Sequence, residues 1–240
     1  MTESTHSAMI ITCEHGGNRI PEQYRHLFLS CSELLKSHRG FDPGALVLAR
    51  GFAKAFEAPL LSATVSRLLV DLNRSISHPR LHSHVIRSLP EPIRQGIVER
   101  HYLPYWRAAE RMVSQGIAER RQVVHISCHS FTPELNAVVR SADIGLLYNP
   151  TRAGEKVLCG RWKAALKLIA PDIQVRRNYP YEGRNDGLTS RLRKQWPPEA
   201  YLGIEVEINQ KFVTGSGRRW AALQQELARS LQLALANQST

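Results

Sequence analysis

At 240 residues with 42% hydrophobic content, the chain is long enough to bury a sizeable core, and one α/β domain over 1–240 is expected. No apolar run approaches the roughly 20 residues that cross a bilayer, so no membrane-spanning helix is expected. Lys and Arg outnumber Asp and Glu 32 to 21, a formal charge of +11, but the basic residues are dispersed and match no nucleic-acid-binding motif, which favours a solvated basic surface or a cationic pocket for an acidic small molecule.

The start, 1-MTESTHSA-8, is polar and lacks the basic and apolar regions of a signal peptide. Cys13, Cys31, Cys128 and Cys159 are scattered with no CxxC pair, as in a cytoplasmic protein with reduced thiols. In chain order the patterning predicts a strand at 8–14, a helix at 44–56, a strand at 59–66 and a long helix at 91–121. Strands at 123–129 and 143–149, a helix at 155–170, strands at 173–177 and 202–209 and a helix at 217–237 complete the series. Short tails at both ends are expected to be mobile. This alternation predicts a three-layer α/β fold, with a mixed central sheet and helices on both faces. Ligands of such sheets bind beyond the carboxyl ends of strands, so the strand ends repay inspection.

The first strand runs into 13-CEHGGNRIP-21, where two glycines after His15 let a turn form and a ligand approach the backbone. A histidine in a turn carries little by itself. In 38-HRGFDPGA-45, Asp42 before Pro43 reads as a helix N-cap, and a metal carboxylate would occupy the same place. The stretch 66-SRLLVDLNRS-75 reads as extended, with Leu68, Val70 and Leu72 on one face and Arg67, Asp71 and Asn73 on the other. Asp71 is expected to hold an arginine in place or to serve a substrate clamp itself, and Arg74, at the exit, to clamp a substrate.

In 123-VVHISCHS-130 the apolar face is Val124, Ile126 and Cys128, and the polar face is His125, Ser127 and His129. Cys128 and His129 therefore point apart and form no dyad, which leaves a metal ion as a natural partner for His129. The strand 202-LGIEVEIN-209 sets Ile204, Val206 and Ile208 against Glu205, Glu207 and Asn209. Two carboxylates at i and i+2, roughly 7 Å apart, repel and want a cation nearby. An exposed edge would also relieve them. The segments 101-HYLPYW-106 and 184-RNDGLTSRLR-193 could line a pocket.

Taken in order, CEHGGNRIP, HRGFDPGA, SRLLVDLNRS, HYLPYW, HSFTP, DGLTSRLR and GIEVEINQ resemble the N-formylglutamate amidohydrolase family over about residues 10–213. That family is similar to zinc carboxypeptidases and aspartoacylase-type deacylases, which implies a zinc-carboxypeptidase-like (phosphorylase/hydrolase-like) fold with a single divalent metal. The resemblance implies that His15 and His129 are metal ligands. It makes Asp42 the third, with Asn18 and Glu14 as alternatives, and Glu207 the general base. Arg67 would assist the oxyanion. Asn73, Arg74, Ser130 and Arg191 would meet an acidic N-acyl amino acid, the implied small-molecule substrate.

Overall fold

The computed structural model describes residues 7–119 and 121–236; the tails expected to be mobile fall outside the described residues at 1–6 and 237–240. The strands are β1 (Ala8–Cys13), β2 (Leu60–Ser62), β3 (Val123–Phe131), β4 (Glu134–Leu135), β5 (Val138–Val139), β6 (Ile144–Leu147), β7 (Val175–Arg177) and β8 (Tyr201–Asn209). Six of them form a sheet in the order β2-β1-β3-β8-β6-β7, and β4 and β5 form a separate hairpin. Strands β2, β1, β3 and β8 are mutually parallel, while β6 pairs antiparallel with β8 and parallel with β7. The sheet is therefore mixed, as expected.

Among the described residues, the longer helices that cover it are α1 (Ala45–Ala55), α2 (Leu103–Ala118), α3 (Ala153–Ile169), α4 (Leu188–Gln195) and α5 (Gly217–Ala236). On one face, Val124, Ile126 and Cys128 of β3 and Ile204, Val206 and Ile208 of β8 join Phe52 of α1, Trp162 of α3 and Leu227 of α5 in one core. On the other face, Trp106 and Ala109 of α2 and Leu192 of α4 share a second core with Ile10 and Tyr201. The central strands β3 and β8 are buried at every position, so even their polar faces are enclosed rather than spread on the outer surface.

The strand expected at 59–66 is shortened to Leu60–Ser62, and two other elements differ more deeply from the sequence patterning. The helix expected over 91–121 is divided into Glu91–Ile97, a π-helical turn at Val98–Tyr102, and α2. Pro104 sits at the start of α2; lacking an N–H and crowding the carbonyl four residues back, it opens the ladder to the wider turn. The stretch 66–75 is a series of turns, not a strand. Leu68, Leu69, Val70 and Leu72 are all buried, which a two-residue alternation could not achieve, because it would send Leu69 to the polar side. Trp106 Nε1 donates to Leu72 O at 3.0 Å and the Asp71 N–H to Leu81 O at 2.8 Å, satisfying the coiled backbone.

A buried ionic network ties α3 and α4 to β8. Glu155 accepts from Arg193 Nε at 2.9 Å, from the Gly203 N–H at 3.0 Å and from the Asn149 N–H at 2.8 Å. Arg193 also donates to Gly203 O at 2.6 Å. Removing one partner strands the other charge in the interior. Glu155→Ala is therefore expected to destabilise the fold by about 3–5 kcal/mol, read as a shift in the urea midpoint; a midpoint within error of wild type would refute the network's role.

Candidate active site

The carboxyl ends of β1, β3 and β8 lie side by side, and register decides which side chains meet there. Thr12 is level with Ser127, Ser127 with Glu205, and His129 with Glu207. Alternation along parallel neighbours then puts these polar groups on one face of the sheet, above its apolar counterpart. Beyond β1 the chain turns through Gly16 and Gly17, where an added Cβ would come within 2.9 Å of Ala63 O and 2.8 Å of Thr64 O. Close packing of that turn holds His15 over the sheet end. The Asp42 N–H donates to His15 O at 2.9 Å, bringing the 38–45 segment to the same place.

His15, Asp42 and His129, all buried, present donor atoms within 4.8 Å of one another. Asp42 Oδ2 lies 2.9 Å from His129 Nδ1 and 3.5 Å from His15 Nδ1. The outer ring nitrogens face other carboxylates: His15 Nε2 is 2.6 Å from Asp71 Oδ1, and His129 Nε2 is 3.0 Å from Glu14 Oε2. A carboxylate behind each imidazole fixes its ring orientation and directs Nδ1 towards Asp42, as outer carboxylates do around metal-binding histidines. Two imidazoles and a carboxylate, with room for a further ligand, fit a divalent cation such as zinc.

Several expectations are corrected by this geometry. Asp42 does not cap α1 with its side chain; Gly44, at φ +83°, occupies the N-cap, and the Asp42 carboxylate turns to His129 and to Arg67 Nη2 at 2.9 Å. Asp71 does not chiefly hold an arginine: its partner is His15, with Arg74 Nε farther off at 3.9 Å. The exposed-edge alternative for Glu205 and Glu207 fails because β8 lies between β3 and β6. Asn18 is exposed, whereas His15, Asp42 and His129 are all buried, and Glu14 lies behind His129, 3.0 Å from its Nε2.

The cluster opens on a cavity of about 640 Å³ that Glu207 also lines. Glu205 accepts from Thr189 Oγ1 at 2.5 Å, whereas Glu207 Oε2 is buried with no hydrogen-bond partner among the described residues. Burial, partly offset by His129, and the nearby Asp42 and Glu205 carboxylates push the Glu207 carboxyl up to about 8. Glu14 behaves oppositely. Burial works to raise it, but hydrogen bonds from His129, Ser127 and Thr12 and the His129 charge outweigh burial and bring it down to about 2. His129 is the counterpart: burial opposes its protonated form, and the Asp42 and Glu14 carboxylates more than compensate, raising it well above the usual imidazole range. One pair back along β3, His125 is held by Thr12 at 2.8 Å and Tyr201 at 2.6 Å. Burial drives it down to about 4, so it is a neutral structural histidine.

Arg67, Asn73, Arg74 and Ser130 all line the cavity. Arg67 Nη2 contacts both Asp42 and His15 Nδ1. Asn73 Oδ1 accepts the Leu188 N–H at 2.8 Å, pinning the start of α4, and its Nδ2 lies 3.5 Å from His129 Nε2. An added Cβ on Gly187 would fall 2.6 Å from that same Oδ1, so the approach needs glycine. Ser130 Oγ donates to Pro43 O at 2.8 Å and accepts from Gln210 Nε2 at 3.1 Å, which commits it to the scaffold. The structure does not bring Arg191 to the cavity. It pairs with Glu110 at 3.2 Å, with its guanidinium 5.0 Å from the centre of the Trp106 ring, because α4 packs that side against α2. Residues that motif reading did not single out, His38, Arg140 and Tyr181, complete the walls. They come from turns and irregular segments, where no periodicity marks them.

A family model described as N-formylglutamate amidohydrolase matches residues 7–214. The chain belongs to this family. Membership makes it an amidohydrolase acting on a small substrate. Among solved structures it is similar to gene product Atu2144 from Agrobacterium tumefaciens, with a TM-score of 0.82 and 29% identity over 98% of this chain and 92% of that one. It shares the fold of an N-formylglutamate amidohydrolase from Ralstonia eutropha JMP134, with a TM-score of 0.67 and 19% identity over 96% and 95% of the two chains. A metallo-carboxypeptidase from Burkholderia cenocepacia is a more distant neighbour, at TM-score 0.42 and 13% identity over 99% of this chain and 59% of that one. Comparison with curated proteins finds no match. Among the described residues, no helix is long and apolar enough to cross a membrane.

Proposed function

We propose that this family member is a zinc-dependent deformylase that hydrolyses the N-formyl amide of an acidic amino acid such as N-formylglutamate, giving formate and the free amine. The observation that carries this reading is the pair of carboxylate-backed imidazoles converging with Asp42 beside the unpartnered Glu207. Zinc in that donor set would supply Lewis acidity, polarising a carbonyl and bringing the pKa of a water towards about 7.

The chain's own groups account for the proton movements. Glu207, whose ionised form a cation in the cluster would favour, takes the proton of the attacking water on Oε2 and passes it to the leaving nitrogen as the C–N bond breaks. Glu207 lines the cavity level with His129 across the β3–β8 pair, which supports a base beside the cluster rather than a ligand within it. Arg67 supplies positive charge where the carbonyl oxygen becomes an oxyanion. Arg74 receives a substrate carboxylate, and Asn73 orients its approach while holding α4. Arg74→Ala is expected to raise KM about 10-fold or more with kcat nearly constant, in formate-release kinetics; a lowered kcat at constant KM would assign it to the chemistry instead.

The direct test is chelation. Dialysis against a chelator should abolish formate release from N-formyl-L-glutamate, and stoichiometric Zn²⁺ should restore it. Full activity in the chelated protein would remove the metal from the mechanism. A cavity of about 640 Å³ also accommodates bulkier ligands, so the second reading is a zinc deacylase or peptidase taking another N-acyl amino acid or a peptide. Parallel assays with N-acetyl amino acids separate the two. The scattered, buried cysteines support a reduced cytoplasmic protein, and we treat 1–240 as one catalytic domain.

A further inference from the structure

Arg140 is the cavity cation whose position asks for a ligand. It stands at the foot of the β4–β5 hairpin, where its N–H donates to Pro133 O at 2.8 Å and closes a turn through Asn136 and Ala137, at φ 51° and 61°. Its guanidinium carbon lies 5.7 Å from the centroid of Phe131 and 5.2 Å from that of Tyr181. Contact with two aromatic rings limits how the planar group can turn. Phe131 ends β3, two residues past His129, so this seat is built on the strand that carries a cluster histidine. Arg140 Nη1 is shielded from water and has no hydrogen-bond partner among the described residues. Shielding a charged donor without an acceptor is costly, and the side chain lines the same cavity as the cluster. His38 shows the proximity: burial, then Arg39 and Arg140, push its pKa down, while Asp42 pulls the other way.

We infer that Arg140 is the specificity-determining residue of this site, binding the side-chain carboxylate of an N-acylated dicarboxylic amino acid. The inference deepens the proposed function and rests on it. Arg74, from the 66–75 segment, is then left for the other carboxylate. The role expected of Arg191 passes to a residue on the hairpin. A guanidinium held by rings presents a fixed fork that suits the two oxygens of a carboxylate, whereas a side-chain amide offers one acceptor and no charge.

The test compares N-formyl-L-glutamate with N-formyl-L-glutamine, in wild type, Arg140→Gln and Arg140→Lys. Wild type should prefer the glutamate substrate. Arg140→Gln should lower kcat/KM for it by about 10- to 100-fold, mainly through KM, with at most a few-fold effect on the glutamine substrate. Arg140→Lys, which keeps charge but not the fork, should recover part of the loss. No preference in wild type, or equal loss for both substrates in Arg140→Gln, would overturn the assignment. Release of formate from neither substrate by wild type would instead overturn the proposed activity. Calorimetry with L-glutamate and L-glutamine on zinc-loaded wild type and Arg140→Gln then decides the residue's role alone. Selective weakening of glutamate supports it, and equal binding by the two proteins ends it.

Discussion

Glu207→Gln is expected to lower turnover by about 10²- to 10⁴-fold, the range that a positioned general base contributes, while zinc content stays at the wild-type level. The substitution keeps shape and removes only the capacity to take a proton, so loss of metal would signal a ligand rather than a base. A fully active Glu207→Gln enzyme would refute the assignment. The same substitution carries a stability signature of opposite sign in the metal-free protein. The folded carboxyl holds its proton up to about 8, whereas in the unfolded chain it ionises near the usual glutamate value of 4.5. Between those pH values the unfolded state has lost a proton that the folded state retains, so this group makes folding progressively less favourable as pH rises. Metal-free Glu207→Gln should therefore gain thermal stability relative to metal-free wild type, increasingly from pH 5 to pH 8. A difference that is flat with pH would show that Glu207 is not held protonated.

The second large effect is at His129. Its imidazole lies between Asp42 at 2.9 Å and Glu14 at 3.0 Å, both fully or nearly buried. His129→Ala removes a ligand of the proposed metal and leaves two interior carboxylates without their principal partner. Zinc binding and formate release should both fall to background. The metal-free fold should also lose about 3–5 kcal/mol, as broken buried pairs do. Elemental analysis and denaturant unfolding read these separately. Unchanged zinc stoichiometry would remove His129 from the ligand set whatever happens to stability. Asp71→Asn offers a milder control. It keeps the size of the group 2.6 Å from His15 Nε2 but withdraws its charge, and is expected to weaken metal affinity about 10- to 100-fold.

Much of this site is legible in the chain because strands write their chemistry with a period of two. His125, Ser127 and His129 on one side of β3, and Glu205 and Glu207 on one side of β8, follow directly from alternation against a uniform apolar face. So does the mixed α/β class, from the succession of strand and helix patterns. Alternation could not say which histidine of β3 serves the cluster. That depends on depth: His125 is enclosed by Thr12 and Tyr201, while His129 reaches the carboxyl end where Asp42 and Glu14 arrive from distant segments.

What only the tertiary structure decided lies in turns and in partners remote along the chain. Asp42 has the local sequence of a helix cap, and only the return of β3 beneath it, 87 residues later, gives its carboxylate a stronger partner than a backbone N–H. The 66–75 segment coils because four consecutive-range apolar side chains find one core, a demand set by α2 rather than by local preference. Arg191 and Arg140 look alike in sequence, yet packing of α4 against Glu110 withdraws the first, and the hairpin after β3 delivers the second. The sequence alone determined the family resemblance, the strand faces and the kinds of group present. Which charges neutralise one another, and which are left facing the cavity, was decided by the fold, because pairing in a low-dielectric interior depends on distances of a few ångströms between residues far apart in the chain.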